Sequence, residues 1–169
     1  MKIRQENKED FLQIYDVVKS AFATAEHSDG NEQDLVNKLR VSNAYVKELS
    51  LVADFDGKIV GFIMFSKIKI GKRTALALAP LAVLPEFQRK NLGSLLVKEG
   101  LAKAKMLGFG FVVVLGDYNF YSRFGFEKSL KYGIKSPFDV ASENFMAIKL
   151  NDAKDFSDEM VKYPKEFFE

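Results

Sequence analysis

The stretch Leu81-Ala82-Val83-Leu84-Pro85-Glu86-Phe87-Gln88-Arg89-Lys90-Asn91-Leu92-Gly93-Ser94 decides how this chain is interpreted. It begins as an apolar strand, turns at a proline and passes two cations before a long helical segment. We expect that helix to run from Asn91 to Leu107, because its polar residues fall on one narrow stripe. A short apolar strand, Phe111 to Leu115, follows it. The order strand, loop, helix, strand predicts a parallel pair with a right-handed crossover.

The turn from Gln88 to Ser94 has the chemistry of an anion site. A helix N-terminus exposes unpaired backbone N–H groups and the positive end of the helix dipole. Arg89 and Lys90 add charge, and Gly93 permits a ligand to approach the backbone. These residues fit a pyrophosphate, but an ordinary charged loop ahead of a helix fits them equally well. The patterns of a P-loop and of a dinucleotide fold are both absent, which disfavours nucleotide triphosphates and NAD.

The remaining chain predicts further strands and helices around this unit. Asp56-Gly57 is a strong hairpin signal. Pro80 lies inside an apolar strand and cannot donate a ladder hydrogen bond, so it indicates a bulge or a place where neighbouring strands part. The other predicted elements are strands at Met1 to Gln5, Leu49 to Asp54, Lys58 to Ile70, Thr74 to Val83, from Phe126 onward and at Asn144 to Leu150, and helices at Asn7 to Phe22 and Glu32 to Leu39.

Composition excludes several classes of function. The 169 residues carry a net charge of only +2, so we expect no nucleic-acid partner. The chain has no cysteine, which rules out disulfides and a cysteinyl acyl intermediate. It has neither an apolar run of membrane-spanning length nor a signal-peptide pattern at its start. We therefore expect a cytoplasmic protein without a membrane partner.

Two motifs in the correct order resemble the GNAT family of N-acetyltransferases. The opening stretch resembles the family's central motif, a strand end followed by Q/R-x-x-G-x-G/A. The later stretch Tyr121-Ser122-Arg123-Phe124-Gly125-Phe126 resembles its Y-x-x-x-GF segment. Pro137-Phe138-Asp139 and Phe145-Met146 resemble the YhbS-like branch. The chain departs from the pattern at Asn91, which stands where the family has its first glycine. Asparagine tolerates positive φ best among the other residues, so we expect the turn to survive.

The resemblance implies an α/β fold built as one N-acetyltransferase domain over residues 1–169. We expect a mixed, strongly twisted sheet of six to seven strands with helices on both faces. The tail, residues 151–169, ends in aromatic residues and is expected to pack on the domain.

The resemblance also assigns binding roles. The backbone of Leu81, Ala82 and Val83 is expected to pair with the pantetheine arm of acetyl-CoA as an added strand would. Gln88 is expected to shape the turn, and Asn119 to contact the pantetheine from the opposite wall. The pyrophosphate is expected to be held by backbone N–H groups of Arg89, Lys90, Asn91, Leu92, Gly93 and Ser94.

For catalysis, the resemblance makes Tyr121 the general acid and the N–H of Val83 the oxyanion donor. Without the motif, Tyr121 is better explained as packing among phenylalanines. The general base stays open among Glu26, His27, Glu32 and water. The acceptor is expected to be set by the loop from Ala23 to Gly30, the strand near Lys67 and the segment after Gly125.

The sequence thus predicts an acetyl-CoA-dependent enzyme that acetylates a primary amine by direct attack in a ternary complex, without a metal. The alternative is a non-catalytic acyl-CoA-binding sensor or regulatory module. The acceptor could be a small molecule or a peptide N-terminus, other acyl-CoA donors stay open, and the aromatic tail would be compatible with a homodimer.

Overall fold

A computed structural model describes residues 1–25 and 28–169 of the chain. The elements found over these residues are β1 (Lys2–Gln5), α1 (Phe11–Phe22), α2 (Glu32–Arg40), β2 (Tyr45–Phe55), β3 (Lys58–Ile70), β4 (Arg73–Val83), α3 (Leu92–Met106), β5 (Phe111–Leu115), α4 (Tyr118–Tyr121), β6 (Glu127–Lys128), β7 (Ile134–Lys135), β8 (Phe145–Lys149) and β9 (Glu159–Lys162).

The strands form one mixed, mostly antiparallel sheet. The main path runs β1-β2-β3-β4-β5-β8-β6, and β9 adds to β3 and pairs with β7. The β4–β5 pair is parallel, as the strand–helix–strand unit predicts. Over the residues that the structure describes, the sheet has nine strands rather than the expected six or seven. Both unforeseen strands are short: β7 has two residues and β9 has four, too few for a periodic pattern.

Helices cover both faces of the sheet, as expected. Alternate residues of β2 divide between two cores, because successive side chains in a strand point to opposite faces. Leu51 packs with α3, whereas Val52 packs with α1 and α2. α3 lies very close to the sheet, since a Cβ at Gly100 would overlap the ring of Phe65. This close packing fixes where the N-terminus of α3 meets β4.

The sheet opens between β4 and β5. These strands pair only at Leu76–Val112 and Ala77–Val113, while the later part of β4 pairs with β3 alone. Beyond that point β5 continues its pairing with β8. Pro80 lies in the stretch of β4 that has lost its β5 neighbour, where its missing N–H breaks no ladder. The predicted parting of strands near Pro80 is confirmed.

The C-terminal segment closes one side of the molecule. β9 pairs with the end of β3 at Lys69–Lys162 and Ile70–Val161. The ring of Tyr163 then packs against Phe138 and Phe167, with centroids 5.3 and 4.9 Å away. The aromatic tail therefore docks on its own chain. No helix among the described residues is both long and apolar enough to cross a bilayer.

Candidate active site

The turn ahead of α3 depends on two residues in the left-handed backbone region. Arg89 has φ 61° and Asn91 has φ 68°. The expected positive φ at Asn91 is thus present, and Arg89 adds a second one that the sequence did not indicate. Asn91 makes no side-chain cap to the helix. The first N–H groups of α3 are therefore available to an external anion, with the positive end of the helix dipole behind them.

The free edge of β4 faces this turn. Backbone groups along a strand point alternately to its two sides. The N–H of Leu84 donates to the Val60 oxygen on β3 at 2.9 Å, so Ala82 also directs its backbone towards β3. Leu81 and Val83 direct theirs into the gap, where the Val83 oxygen accepts from Gln88 Nε2 at 3.0 Å. This pairing is not compatible with the prediction that Ala82 offers its backbone to a ligand.

Turn and strand edge enclose a cleft of about 520 Å³. A Cβ at Gly93 would meet no atom nearer than the ring of Phe120 at 3.7 Å, with Leu81 and Val83 side chains at 3.9 Å. The missing side chain of Gly93 therefore leaves room between the helix and the strand edge. The residues lining the cleft are Leu81, Val83, Gln88, Arg89, Asn91, Leu92, Gly93, Ser94, Phe120 and Arg123.

Phe120 and Arg123 line the cleft although the sequence predicted no role for them. Arg123 Nη2 donates to Ser94 Oγ at 3.2 Å, and Nε donates to the Phe120 oxygen at 3.3 Å. Its guanidinium lies 4.8 Å from the Phe120 ring centroid. The cation is thus anchored beside the first turn of α3. Phe120 and Arg123 are three residues apart, which places both side chains on one side of a helical turn, and this spacing could have predicted that they lie together.

Besides Ala82, two of the predicted cofactor contacts lie outside the cleft lining. Lys90 is exposed, and its ammonium lies 5.5 Å from the ring centroid of Phe87. Asn119 is exposed, and its N–H donates to Asp117 Oδ1 at 3.1 Å at the start of α4. Neither side chain borders the open space between α3 and β4.

Tyr121 lies beside Gly116 at the end of β5, and it is not among the residues that line the cleft or the cavity described below. A Cβ at Gly116, directly after β5, would lie 2.7 Å from the Tyr121 ring. The ring also packs edge-on against Phe120 and Phe126 at 4.9 and 5.7 Å. Burial, and secondarily the Asp117 carboxylate, raise the pKa of the Tyr121 hydroxyl above its ordinary value. The hydroxyl therefore keeps its proton at neutral pH.

A second, smaller cavity of about 290 Å³ borders the same gap from the other face of the sheet. Its walls include Leu78 and Ala79 of β4 and Leu115 of β5. α2 contributes Glu32 and Leu35, whereas α3 lines the cleft. Since α2 and α3 cover opposite faces, the cavity and the cleft lie on opposite sides of the opening between the strands.

Of the predicted general-base candidates, the structure brings Glu32 to this cavity. Its Oε1 accepts a hydrogen bond from Ser28 Oγ at 2.7 Å. Glu26 and His27 lie outside the described residues. Among residues 1–25 and 28–169, no group of three or more histidine, cysteine or acidic residues is placed to hold a metal ion.

Comparison with known proteins places the chain in a family. Residues 10–126 match the model of the acetyltransferase (GNAT) family, which is more than half of the sequence. YjhQ of Escherichia coli K12, named an N-acetyltransferase, is 32% identical over 143 residues, covering 82% of this chain and 76% of YjhQ. The chain therefore belongs to the GNAT acetyltransferase family, and its similarity to the YhbS-like branch is confirmed by the structures that follow.

Two solved structures resemble the whole chain. The crystal structure of a GNAT acetyltransferase from Brucella melitensis in complex with acetyl-CoA has a TM-score of 0.83 and 32% identity, covering 98% of this chain and 97% of that one. YhbS from Escherichia coli in complex with CoA has a TM-score of 0.86 and 28% identity, covering 99% and 92%. The fold is thus the α/β fold of this family.

Proposed function

We propose that this chain transfers an acetyl group from acetyl-CoA to an amine by direct attack within a ternary complex. One observation carries the proposal: the uncapped first turn of α3 and the free backbone edge of β4 face each other across a single cleft. A phosphate group and an extended amide chain are the two ligand parts that such surfaces bind. Acetyl-CoA contains both, and the similar Brucella protein was crystallised with it.

The residues present fit acetyl-CoA. The first-turn N–H groups from Leu92 to Ser94 would hold the pyrophosphate, with Arg89 and Arg123 supplying charge at the rim. Leu81 would offer its backbone to the pantetheine amides, whereas the Val83 oxygen already accepts from Gln88 and leaves only the Val83 N–H free. Gly93 leaves the space that the arm needs between α3 and β4.

The proposed transfer exchanges one bond to the acetyl carbon for another. A new bond forms between the amine nitrogen and the acetyl carbon, the carbon–sulfur bond breaks, and CoA leaves as its thiol. The N–H of Val83 points into the gap, where it can stabilise negative charge developing on the acetyl oxygen. Tyr121 would donate the proton that the departing sulfur takes. Its raised pKa keeps that proton on the hydroxyl until then.

The amine must also lose a proton. Glu32 lines the cavity on the far side of the gap, from which an amine would approach. It is the candidate base among the described residues, and water is the alternative acceptor. No covalent acetyl-enzyme is needed, because amine and thioester can meet at the opening between β4 and β5.

The decisive experiment measures acetyl-CoA binding and turnover separately. Equilibrium dialysis gives binding, and release of free thiol against a broad amine panel gives turnover, with low background because the protein has no cysteine. Binding together with turnover of at least one amine is the expected result. Binding without turnover of any amine would favour a non-catalytic acyl-CoA-binding module, and absence of binding would overturn both readings of the cleft.

A further inference from the structure

The cavity on the α2 side of the sheet is strongly unbalanced in charge. Among the described residues that line it, four are acidic and one, Lys38, is a cation. The ammonium of Lys38 is already engaged, because it donates to the main-chain oxygen of Glu169 at 2.6 Å. The four acidic residues are Asp29, Glu32, Glu166 and Glu169.

The acidic side chains have little internal compensation. No ion pair joins Asp29, Glu32 or Glu166 to any other residue in the described part of the chain. Their charges therefore act together on whatever enters the cavity. The low-dielectric sheet beneath them strengthens this field compared with an open surface.

Apart from the polar Asn31, the rest of the described cavity wall is aliphatic or aromatic. It consists of Leu35, Leu78, Ala79, Leu115, Phe138, Tyr163, Phe167 and Phe168. A volume of about 290 Å³ suits a small ligand rather than the surface of a folded partner. The occupant should therefore combine a short apolar body with positive charge.

We infer that the acceptor is an aliphatic diamine or polyamine, with one amine at the strand opening and a second, charged amine paired with Glu166 and its acidic neighbours. The inference rests on the proposed acetyl transfer. Acidic neighbours raise the pKa of an amine and so withhold the neutral, nucleophilic form. A monoamine held by these acids would be protected from reaction. A diamine can satisfy them with one nitrogen and present the other as the nucleophile.

The same charges disfavour an amino acid as acceptor. Its carboxylate would have to enter beside like charges, and Lys38, the one cation among the described lining residues, already donates to Glu169; this is costly in a partly enclosed site. A matched series therefore separates the classes: cadaverine, n-pentylamine and δ-aminovalerate share a five-carbon body and differ only in the distal group.

The test measures kcat/KM for these three amines with the full chain and saturating acetyl-CoA. Wild type should prefer cadaverine to n-pentylamine by about tenfold, as a charge-assisted contact implies, and should use δ-aminovalerate least. Glu166→Gln should remove most of that preference while leaving n-pentylamine within about twofold. Glu99→Gln, which removes an exposed acid on α3 away from the cavity, is the matched control and should leave the preference intact.

Glu32→Gln separates two roles for that residue. An equal loss for cadaverine and n-pentylamine identifies it as the base, whereas a loss confined to cadaverine identifies it as a second partner of the distal cation. Equal use of all three amines, or faster use of a basic peptide than of any diamine, would overturn the inference and leave acetyl transfer standing.

If acetyl-CoA binds but no amine is turned over, the proposed function fails, and the cavity is then judged by binding alone. Dialysis of labelled cadaverine should show retention by wild type and by Glu99→Gln, and at least a tenfold weaker affinity in Glu166→Gln, roughly the effect of losing one charged partner. Retention that does not depend on Glu166, or no retention at all, would overturn the assignment of the cavity.

Discussion

The cleft on the α3 side and the cavity on the α2 side are built in opposite ways. The cleft takes its character from backbone: the left-handed Asn91, an uncapped helix turn and the free edge of β4. The cavity takes its character from side chains, four of them acidic. Backbone groups are the same in every sequence that forms the turn, whereas side chains can change without disturbing the fold. This division suits enzymes that share one acetyl donor but differ in the amine they acetylate, because the donor site is built from backbone and the acceptor side from side chains.

The largest effect is expected at Tyr121, the proposed general acid. Tyr121→Phe should lower kcat by about 100-fold, because the departing sulfur loses its proton donor. The loss should be the same for every amine, since the hydroxyl serves the donor side. Steady-state rates with several acceptors check this. Tyr118→Phe, which changes a more exposed tyrosine of the same helix, should have no such effect.

The dependence of kcat on pH gives a second test of Tyr121 as the general acid. A general acid acts only while protonated, and the raised pKa of Tyr121 delays its deprotonation beyond the ordinary value near 10. Wild-type kcat should therefore rise as the amine deprotonates and show no descending limb below about pH 10. A descending limb that begins near neutral pH, or an acceptor-dependent loss in Tyr121→Phe, would assign the acid to another group.

A pair of glycines on α3 tests whether the cleft works through its backbone. Gly93→Ala places a methyl group in the cleft without touching protein atoms closer than 3.7 Å. Acetyl-CoA affinity should fall by about tenfold, while thermal stability stays the same or rises slightly because alanine favours helix.

Gly100→Ala is the counterpart on the same helix. Its methyl group would overlap Phe65, so it should cost about 1–3 kcal/mol of stability through overpacking. Acetyl-CoA affinity measured well below the melting temperature should change little. Unaltered acetyl-CoA binding in a stable Gly93→Ala variant would mean that the arm does not pass between α3 and β4.

Arg123 contributes to the cleft through its side chain rather than its backbone, and its removal should have a smaller effect than Gly93→Ala. Arg123→Gln should weaken acetyl-CoA binding by about threefold at low salt and less at high salt, as an exposed charge contributes little. Calorimetric titration at two salt concentrations measures this. Lys103→Gln, an equal charge change in the last turn of α3, is the control. A salt-independent loss much larger than this would place Arg123 among the main phosphate contacts.

The smallest effect is expected at Asn91. Asn91→Gly relieves a left-handed conformation that asparagine tolerates, at the cost of a more flexible unfolded chain. Acetyl-CoA binding should stay within about threefold of wild type or become tighter, because the phosphate contacts are backbone groups. Equilibrium dialysis is sufficient. Marked weakening would show that the Asn91 side chain itself holds the ligand.

The same division explains what the sequence could predict. The cleft lies in one continuous stretch from Leu81 to Ser94, so strand, turn and helix signals could be combined locally. The parting of strands followed from a single proline, and the hairpin at Asp56-Gly57 followed from its turn chemistry, with both residues at positive φ.

The cavity could not be predicted in the same way. Its acids come from residues near the start of α2 and from the segment after β9, more than a hundred positions apart. Asp29, from the loop Ala23 to Gly30, and Phe138, from the segment after Gly125, line the cavity, whereas Lys67 does not. The pairing of β9 with β3 and the packing of Tyr163 on Phe138 bring Glu166 there, and β9 has a single buried side chain, Val161. Such a long-range pairing has no local signal.

The open edge of β4 also bears on the behaviour of the folded chain at high concentration. Unpaired strand edges invite other chains to add to them and are a common origin of aggregation. Here the edge is exposed only inside a narrow opening between two strands, and Gln88 occupies the Val83 oxygen. A second polypeptide could not lie alongside it without displacing β5. The unpaired edge of β4 is thus accessible to a narrow, extended ligand but not to a strand of another copy of the protein.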